Sequence, residues 1–144
     1  MSEESTTPDL VELTRRLFET ASRRDIDANM HFHAADALWD LSDAGFGIFR
    51  GVAAIRVFLE DWFTSYESYQ NDVEEVIDLG GGVVFLAGHD TGRLVGSDGN
   101  IEQRRGWIVR WVDGKVVRVA VYLDVDQGRA AAERRSSFPR GIRP

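Results

Sequence analysis

Ile101-Glu102-Gln103-Arg104-Arg105-Gly106-Trp107-Ile108-Val109-Arg110-Trp111-Val112-Asp113-Gly114-Lys115-Val116-Val117-Arg118-Val119-Ala120-Val121-Tyr122-Leu123-Asp124 is the stretch that decides the fold. Ile101, Gln103, Arg105, Trp107, Val109 and Trp111 recur at every second position, the spacing that places side chains on one face of a strand. Asp113-Gly114 interrupts the pattern, and a β-branched run resumes from Lys115 to Asp124. A two-residue Asp-Gly loop between such runs signals a β-hairpin, because both positions tolerate positive φ. Two of the four tryptophans lie on one predicted face, and Arg105, Tyr122 and Asp124 are mixed through the same hairpin. Aromatic rings beside a few polar groups suit the inner wall of a pocket.

Upstream of the hairpin, residues 1–6 are expected to be disordered. Thr7-Pro8-Asp9 offers a capping hydroxyl, a first-turn proline and an acid for the positive end of a helix. Leu10, Leu13, Leu17 and Ala21, widened by Val11 and Phe18, predict that helix, ending near Arg23-Arg24. Asp25-Ile26-Asp27 opens a shorter one through about residue 34, with Met30 and either His31 or Phe32 inward. Ala37-Leu38-Trp39-Asp40-Leu41 reads as a strand, and 42–50, with Gly45 and Gly47, as a loop. Val52, Ile55, Phe58, Leu59, Trp62 and Phe63 form the stripe of a third helix. Strands over 69–79 and 83–95 follow, separated by Gly80-Gly81-Gly82, and Gly96-Ser97-Asp98-Gly99 leads into the hairpin. Asp126 is a candidate cap for a last helix with Arg129–Arg134 as its body, and 136–144 is expected to be a loose tail. One domain over 7–135 results.

Helices first and four consecutive antiparallel strands later predict an α+β domain. A cone-shaped curved antiparallel β-sheet wrapped around three N-terminal helices, with a short C-terminal helix, would enclose a site for a small apolar organic molecule. Apolar residues on both sheet faces exceed what the chain's own helices can cover, which predicts a homodimer through the sheet face.

Composition narrows the function. The 144 residues suffice for one real core. With 24 acids against 17 bases, the net charge of −7 argues against nucleic acid as a partner. The late bases Arg129, Arg134, Arg135, Arg140 and Arg143 read as a solvated helix face and tail. No apolar run reaches the roughly 18 residues of a membrane span. Acids near Met1 and no following apolar segment argue against a signal peptide, so a cytoplasmic location and no membrane partner are expected. There are no cysteines, which excludes disulfides and thiolate metal sites. His31 and His33 lack the i, i+4 spacing of a helical metal pair, so no metal and no cofactor are expected. The glycine runs sit in strand–strand turns and precede no helix N-terminus, so they do not cradle phosphate.

Several phrases carry a family resemblance: Arg24-Asp25-Ile26-Asp27, Ala35-Asp36-Ala37-Leu38-Trp39-Asp40, Arg50-Gly51-Val52-Ala53-Ala54-Ile55, Val112-Asp113-Gly114-Lys115-Val116-Val117 and Val121-Tyr122-Leu123-Asp124. In these the chain resembles the SnoaL-like (polyketide cyclase-like) branch of the nuclear transport factor 2-like superfamily. The resemblance implies the cone-shaped fold, a homodimer, and a choice among isomerase, cyclase, dehydratase, epoxide hydrolase or non-enzymatic binding domain. It also implies that Tyr122 fills the wall and that Asp124 helps start the last helix. Isomerase-type catalytic positions fall on Leu41, Leu17 and Trp107, all apolar. Of the epoxide hydrolase Asp-Arg-Asp pattern, which falls near Gly88, Asp90 and Val121, only Asp90 matches.

The candidate catalytic residues are therefore His89, Asp40 and Arg105. His89 shares a predicted face with Phe85, Ala87 and Thr91, and an imidazole there serves as a base or hydrogen-bond donor if that face is concave. Asp40 is structural if Trp39 faces inward and an acid/base candidate if a bulge reverses the strand. Arg105, if buried, needs Asp124, Glu75 or a bound carboxylate as partner. Trp39, Phe58, Trp62, Phe85, Trp107, Tyr122 and Asp124 are the expected pocket lining. Cofactor-independent acid/base chemistry, a non-catalytic carrier and a dimeric interaction domain with a self-filled pocket remain the alternatives.

Overall fold

The computed structural model describes residues 9–137. Residues 1–8 and 138–144, where a disordered start, the helix-start residues Thr7 and Pro8 and most of the loose tail are expected, lie outside the described residues. The elements run α1 (Leu10–Ser22), α2 (Ile26–His31), β1 (His33–Leu41), β2 (Gly47–Arg50), α3 (Val52–Thr64), β3 (Tyr66–Gly80), β4 (Val83–Leu94), β5 (Asn100–Val112), β6 (Lys115–Tyr122) and α4 (Val125–Ser137). Local chemistry sets the ends. The Asp9 carboxylate accepts from the Glu12 amide at 3.2 Å and caps α1, while Asp25 caps α2 through the Ala28 amide at 3.1 Å. The cap of α4 is Asp124, which accepts from the Gln127 amide at 3.0 Å, and not Asp126.

The strands form a six-stranded sheet in the order β2-β1-β6-β5-β4-β3. The β5–β6 hairpin closes at Val112↔Lys115 around Asp113 and Gly114, whose φ values of 52° and 79° match a turn with both central residues left-handed. All neighbours pair antiparallel except β1 and β6, which run parallel. The sheet wraps around α1, α2 and α3 as an α+β cone, with α4 at the back. Where a loop was expected over 42–50, a short helical turn at Ser42–Ala44 leads into β2, which pairs with β1 from Leu38↔Arg50 to Leu41↔Gly47. Four residues with a glycine among them show no usable alternation, so this edge strand is invisible in the sequence.

The concave face and the helices share the main core, including Leu17, Trp39, Leu41, Ile55, Phe63, Val84, Leu86, Val109 and Val121. Within it the Trp111 indole donates to the Thr14 hydroxyl at 3.0 Å, tying the hairpin to α1. On the convex face Phe85, Ala87, Ile108 and Ala120 pack under Ala131 and Ala132 of α4. Gly106 and Gly128 make this approach possible: a Cβ on Gly128 would stand 3.4 Å from the Gly106 Cα and 3.2 Å from the Tyr122 Cβ. Glu75 and Arg129 clamp the crossing at 2.6 Å. The chain's own last helix buries these convex apolar residues, while Ile48, Val95, Val112 and Leu123 stay exposed elsewhere.

Candidate functional site

The cone encloses a cavity walled largely by aromatic rings: Phe18 from α1, Phe58 and Trp62 from α3, Trp39 from β1 and Trp107 from β5. Centres of water-sized atoms can occupy about 70 Å³ of it, several times the ~10–15 Å³ that one water needs. Phe58 stacks on Trp62 with ring centroids 5.9 Å apart, Phe18 meets Trp107 edge-on at 5.4 Å, and half-exposed Phe46 stands edge-on to Trp62 at 5.4 Å. Trp62 and Trp107 thus sit in the walls and leave the interior open, unlike the self-filled pocket expected of an interaction domain.

One wall is polar. The Arg105 Nε donates to Asp90 Oδ2 at 2.7 Å, and both side chains are nearly buried. The Asn71 amide donates to the other carboxylate oxygen, and the Tyr69 hydroxyl also hydrogen-bonds Asp90. Register explains the convergence. Asn71 pairs with Asp90 across β3–β4, and Arg105 pairs with Gly88 across β4–β5. Gly88 has no side chain, so Arg105 reaches diagonally to Asp90, and a Cβ there would stand 3.5 Å from the Asn71 amide nitrogen. The guanidinium carbon lies 5.6 Å from the Trp62 ring centroid, so the cation faces an aromatic surface as well as the carboxylate.

Burial is the largest influence on Asp90 and pushes its carboxyl above the ordinary range, outweighing Arg105, Asn71 and Tyr69, which all favour the charged form. Burial also drives the Tyr69 phenol well up, with the Asp90 charge adding to it, so Tyr69 stays a hydrogen-bond donor. A carboxyl held by three donors beside an apolar cavity is equipped to exchange a proton with a bound molecule. Three buried polar atoms in the walls, Asn71 Oδ1, Asn29 Oδ1 and Trp107 Nε1, have no hydrogen-bond partner among the described residues.

Of the expected catalytic residues, only Arg105 reaches this wall, and its partner is Asp90 instead of Asp124 or Glu75. His89 lies one residue from inward-facing Asp90, so its side chain points to the convex side. The same alternation puts Phe85 under α4 and out of the cavity. Asp40 also points outward, because Trp39 faces in. It bonds the Ser42 hydroxyl and amide and lies 3.4 Å from Arg118. The Ser42 hydroxyl is the main cause holding the Asp40 carboxyl below its usual range. Trp39, Phe58, Trp62 and Trp107 line the cavity. Tyr122 packs against the α4 cluster instead, and Asp124 caps α4. Among the described residues no group of three or more His, Asp or Glu side chains gathers to hold a metal ion, and no helix is long and apolar enough to cross a membrane.

The model of the SnoaL-like domain family matches residues 14–119, well over half of the chain. The chain belongs to that family. No curated protein matches its sequence. Among solved structures, this SnoaL-like domain is similar to a hypothetical protein with a ketosteroid isomerase-like fold from Catenulispora acidiphila in complex with trimethylamine. The two share 15% identity over 96% of this chain and 100% of that one, with a TM-score of 0.71. It is also similar to TerC co-crystallised with polyporic acid, at 20% identity over 85% of this chain and 97% of that one, TM-score 0.69. A third is SalBIII, an epoxide hydrolase/cyclase-like enzyme of pyran ring formation in the polyether salinomycin, at 16% identity over 85% and 93%, TM-score 0.70. At these identities the likeness is one of fold.

Proposed function

We propose that this SnoaL-like domain binds a small, mostly apolar organic molecule and moves a proton on it without a bound cofactor. The observation that carries the reading is the buried Asp90 carboxyl, held by Arg105, Asn71 and Tyr69 on the one polar wall of an aromatic cavity. Asp90 is the proton acceptor and donor. Arg105 is a positioning residue that favours its charged form, and Tyr69 and Asn71 fix its orientation. In an isomerisation or cyclisation the proton taken by Asp90 returns to another atom of the same molecule, so no oxidant, reductant or second substrate is required. The similar structures with trimethylamine and polyporic acid, and the cyclase-like SalBIII, support small-molecule chemistry in this fold.

A carrier without turnover is the second reading, favoured by one specific observation: Asp90 is already engaged by three donors, as a structural anchor would be. A thermal-shift screen of small polycyclic ketones, terpenoid epoxides and aromatic acids at pH 6 and pH 8 separates the two. A ligand at 100 times its dissociation constant adds about 2.7 kcal/mol, several degrees for a chain of this size. Hits are then incubated with the wild-type protein and Asp90→Asn, and products are followed by chromatography. Product from the wild-type protein alone supports the enzyme. Binding without product supports the carrier, equal turnover by Asp90→Asn removes Asp90 from its role, and no hit at all overturns ligand binding.

A further inference from the structure

Phe46 stands where the aromatic cavity meets solvent. It lies in the connection between β1 and β2 and lines the cavity with Phe58 and Trp62 of α3, yet it is 43% exposed. Every other cavity-lining residue among the described residues is buried or half-buried, so the mouth is at this ring. Phe46 meets Phe58 edge-on with ring centroids 5.7 Å apart and Trp62 edge-on at 5.4 Å, and both partners belong to the cavity wall. Its inner edge is therefore packed while its outer side faces water.

The backbone that carries the ring is braced. The Phe46 amide donates to the Leu41 carbonyl and the Gly45 amide to the Ser42 carbonyl, each at 3.0 Å. The Asp40 carboxylate accepts from the Ser42 amide at 3.1 Å and from its hydroxyl at 2.5 Å, and Gly47 pairs with Leu41 in the sheet. The flanks of the ring, by contrast, are bare. Gly45 and Gly47 stand on either side at φ values of 88° and 91°, and a Cβ on either would meet no atom within 4 Å. With the backbone held and the flanks empty, the motion left to the residue is rotation between staggered wells about its Cα–Cβ bond. That rotation lifts the ring from Phe58 and Trp62 into solvent and breaks none of these hydrogen bonds.

Resting on the ligand-binding reading above, we propose that the Phe46 ring is the gate of the cavity and sorts incoming molecules by width. Closed on Phe58 and Trp62 it seals the mouth, and swung outward it opens a passage. A narrow molecule passes at a small rotation, whereas a wide one needs the full swing. The ring moves aside for entry and exit alike and returns after each, so it governs the rate of traffic more than the affinity. An open form populated at roughly 0.1–10% slows entry about 10- to 1,000-fold relative to an unguarded mouth.

The test is stopped-flow tryptophan fluorescence with two ketones of different width, acetophenone and 2-acetonaphthone. Each is mixed with the wild-type protein, with Phe46→Ala and with Ile48→Ala, an exposed neighbour outside the cavity lining. Phe46→Ala should speed both association and dissociation of 2-acetonaphthone at least about tenfold, with the dissociation constant within about threefold of wild type. Acetophenone should be accelerated less, and Ile48→Ala should match wild type with both ketones. If Phe46→Ala disturbs the turn, Phe46→Leu keeps a smaller apolar cap and should give an intermediate acceleration. A ring that served only as wall would leave association unchanged and raise dissociation alone. That result, or unchanged rates in Phe46→Ala, overturns the gate and leaves ligand binding standing. Equal acceleration of the two ketones overturns the sorting by width. No equilibrium fluorescence change with either ketone, in wild type or in Phe46→Ala, overturns the ligand-binding reading and the gate with it.

Discussion

Replacing Arg105 by Met should reveal how the polar wall is held. The change keeps an apolar stem of similar length and removes the cation from Asp90, whose side chain is only 7% exposed. Breaking a buried pair from one side costs about 3–5 kcal/mol, because a charge remains without its counter-ion. Asn71 and Tyr69 still donate to the carboxylate, which puts the expected loss near the lower end, about 3 kcal/mol at pH 8. At about 2–4 °C per kcal/mol, the melting temperature should fall by roughly 6–12 °C. The loss should depend on pH in a definite direction. The folded Asp90 pKa already lies above its unfolded value, so the folded state binds the proton more tightly and stability declines as pH rises between the two. Without Arg105 the folded value rises further, and the decline extends to higher pH. Urea unfolding followed by tryptophan fluorescence should therefore show a penalty that is full at pH 8 and much smaller at pH 4. Adding Asp90→Asn to Arg105→Met removes the stranded charge and should recover at least half of the loss. A penalty below about 1 kcal/mol at pH 8, or no recovery in the double variant, would refute the idea that this pair is buried and mutually dependent.

Two other outcomes follow from features away from that pair. Burial depresses the His33 pKa from 6.5 to about 4, a shift its bond to the Asn29 carbonyl opposes and the nearby Lys115 charge reinforces; only the neutral ring can accept from Trp39 at Nε2. Folding should thus lose about 3 kcal/mol as pH falls from 6.5 to 4, and His33→Gln should flatten that acid limb in urea titrations; an unchanged limb would mean other groups carry it. Gly128→Val drives a branched side chain into Gly106 and Tyr122, so α4 should lift from the sheet, which binding of a hydrophobic dye and loss of helical circular dichroism would report. A variant as stable and dye-free as wild type would show that the contact is looser than these distances imply.

Much of the frame was legible because its signals were long and redundant. The hairpin, α1 and α3 each combine clear periodicity with a cap or turn that agrees with it. β4 is the exception. Val83, Val84, Phe85, Leu86 and Ala87 are apolar on both faces, since one face meets the cavity core and the other meets α4, so alternation carries no sign of inside and outside. The error on His89 and Phe85 is one error of parity. Arg105 stands out in the sequence because a charge within an apolar-aromatic face is unusual by itself. Its partner Asp90 does not, because the pairing depends on the β4–β5 register, which sets Arg105 opposite Gly88 and diagonal to Asp90. Tyr69 and Asn71 lay on one alternating face of the expected strand, and only the Asn71↔Asp90 pairing turns that face into a site. Asn29 left no trace in the pattern of a helix as short as α2.

The parallel pairing of β1 with β6 joins chain segments that are far apart in sequence, Trp39 opposite Val119. Bringing them together costs more loop entropy than closing any turn of the β3–β6 meander, so the meander can assemble before β1 docks. Trp39 and Leu41 belong to one side of that seam, whereas Arg105, Trp107 and Asp90 belong to the other, so the cavity comes into existence only once the seam has closed. A molecule held in it therefore acts on the lifetime of the native chain more than on its rate of formation: it leaves early assembly untouched and must be released before the seam can reopen.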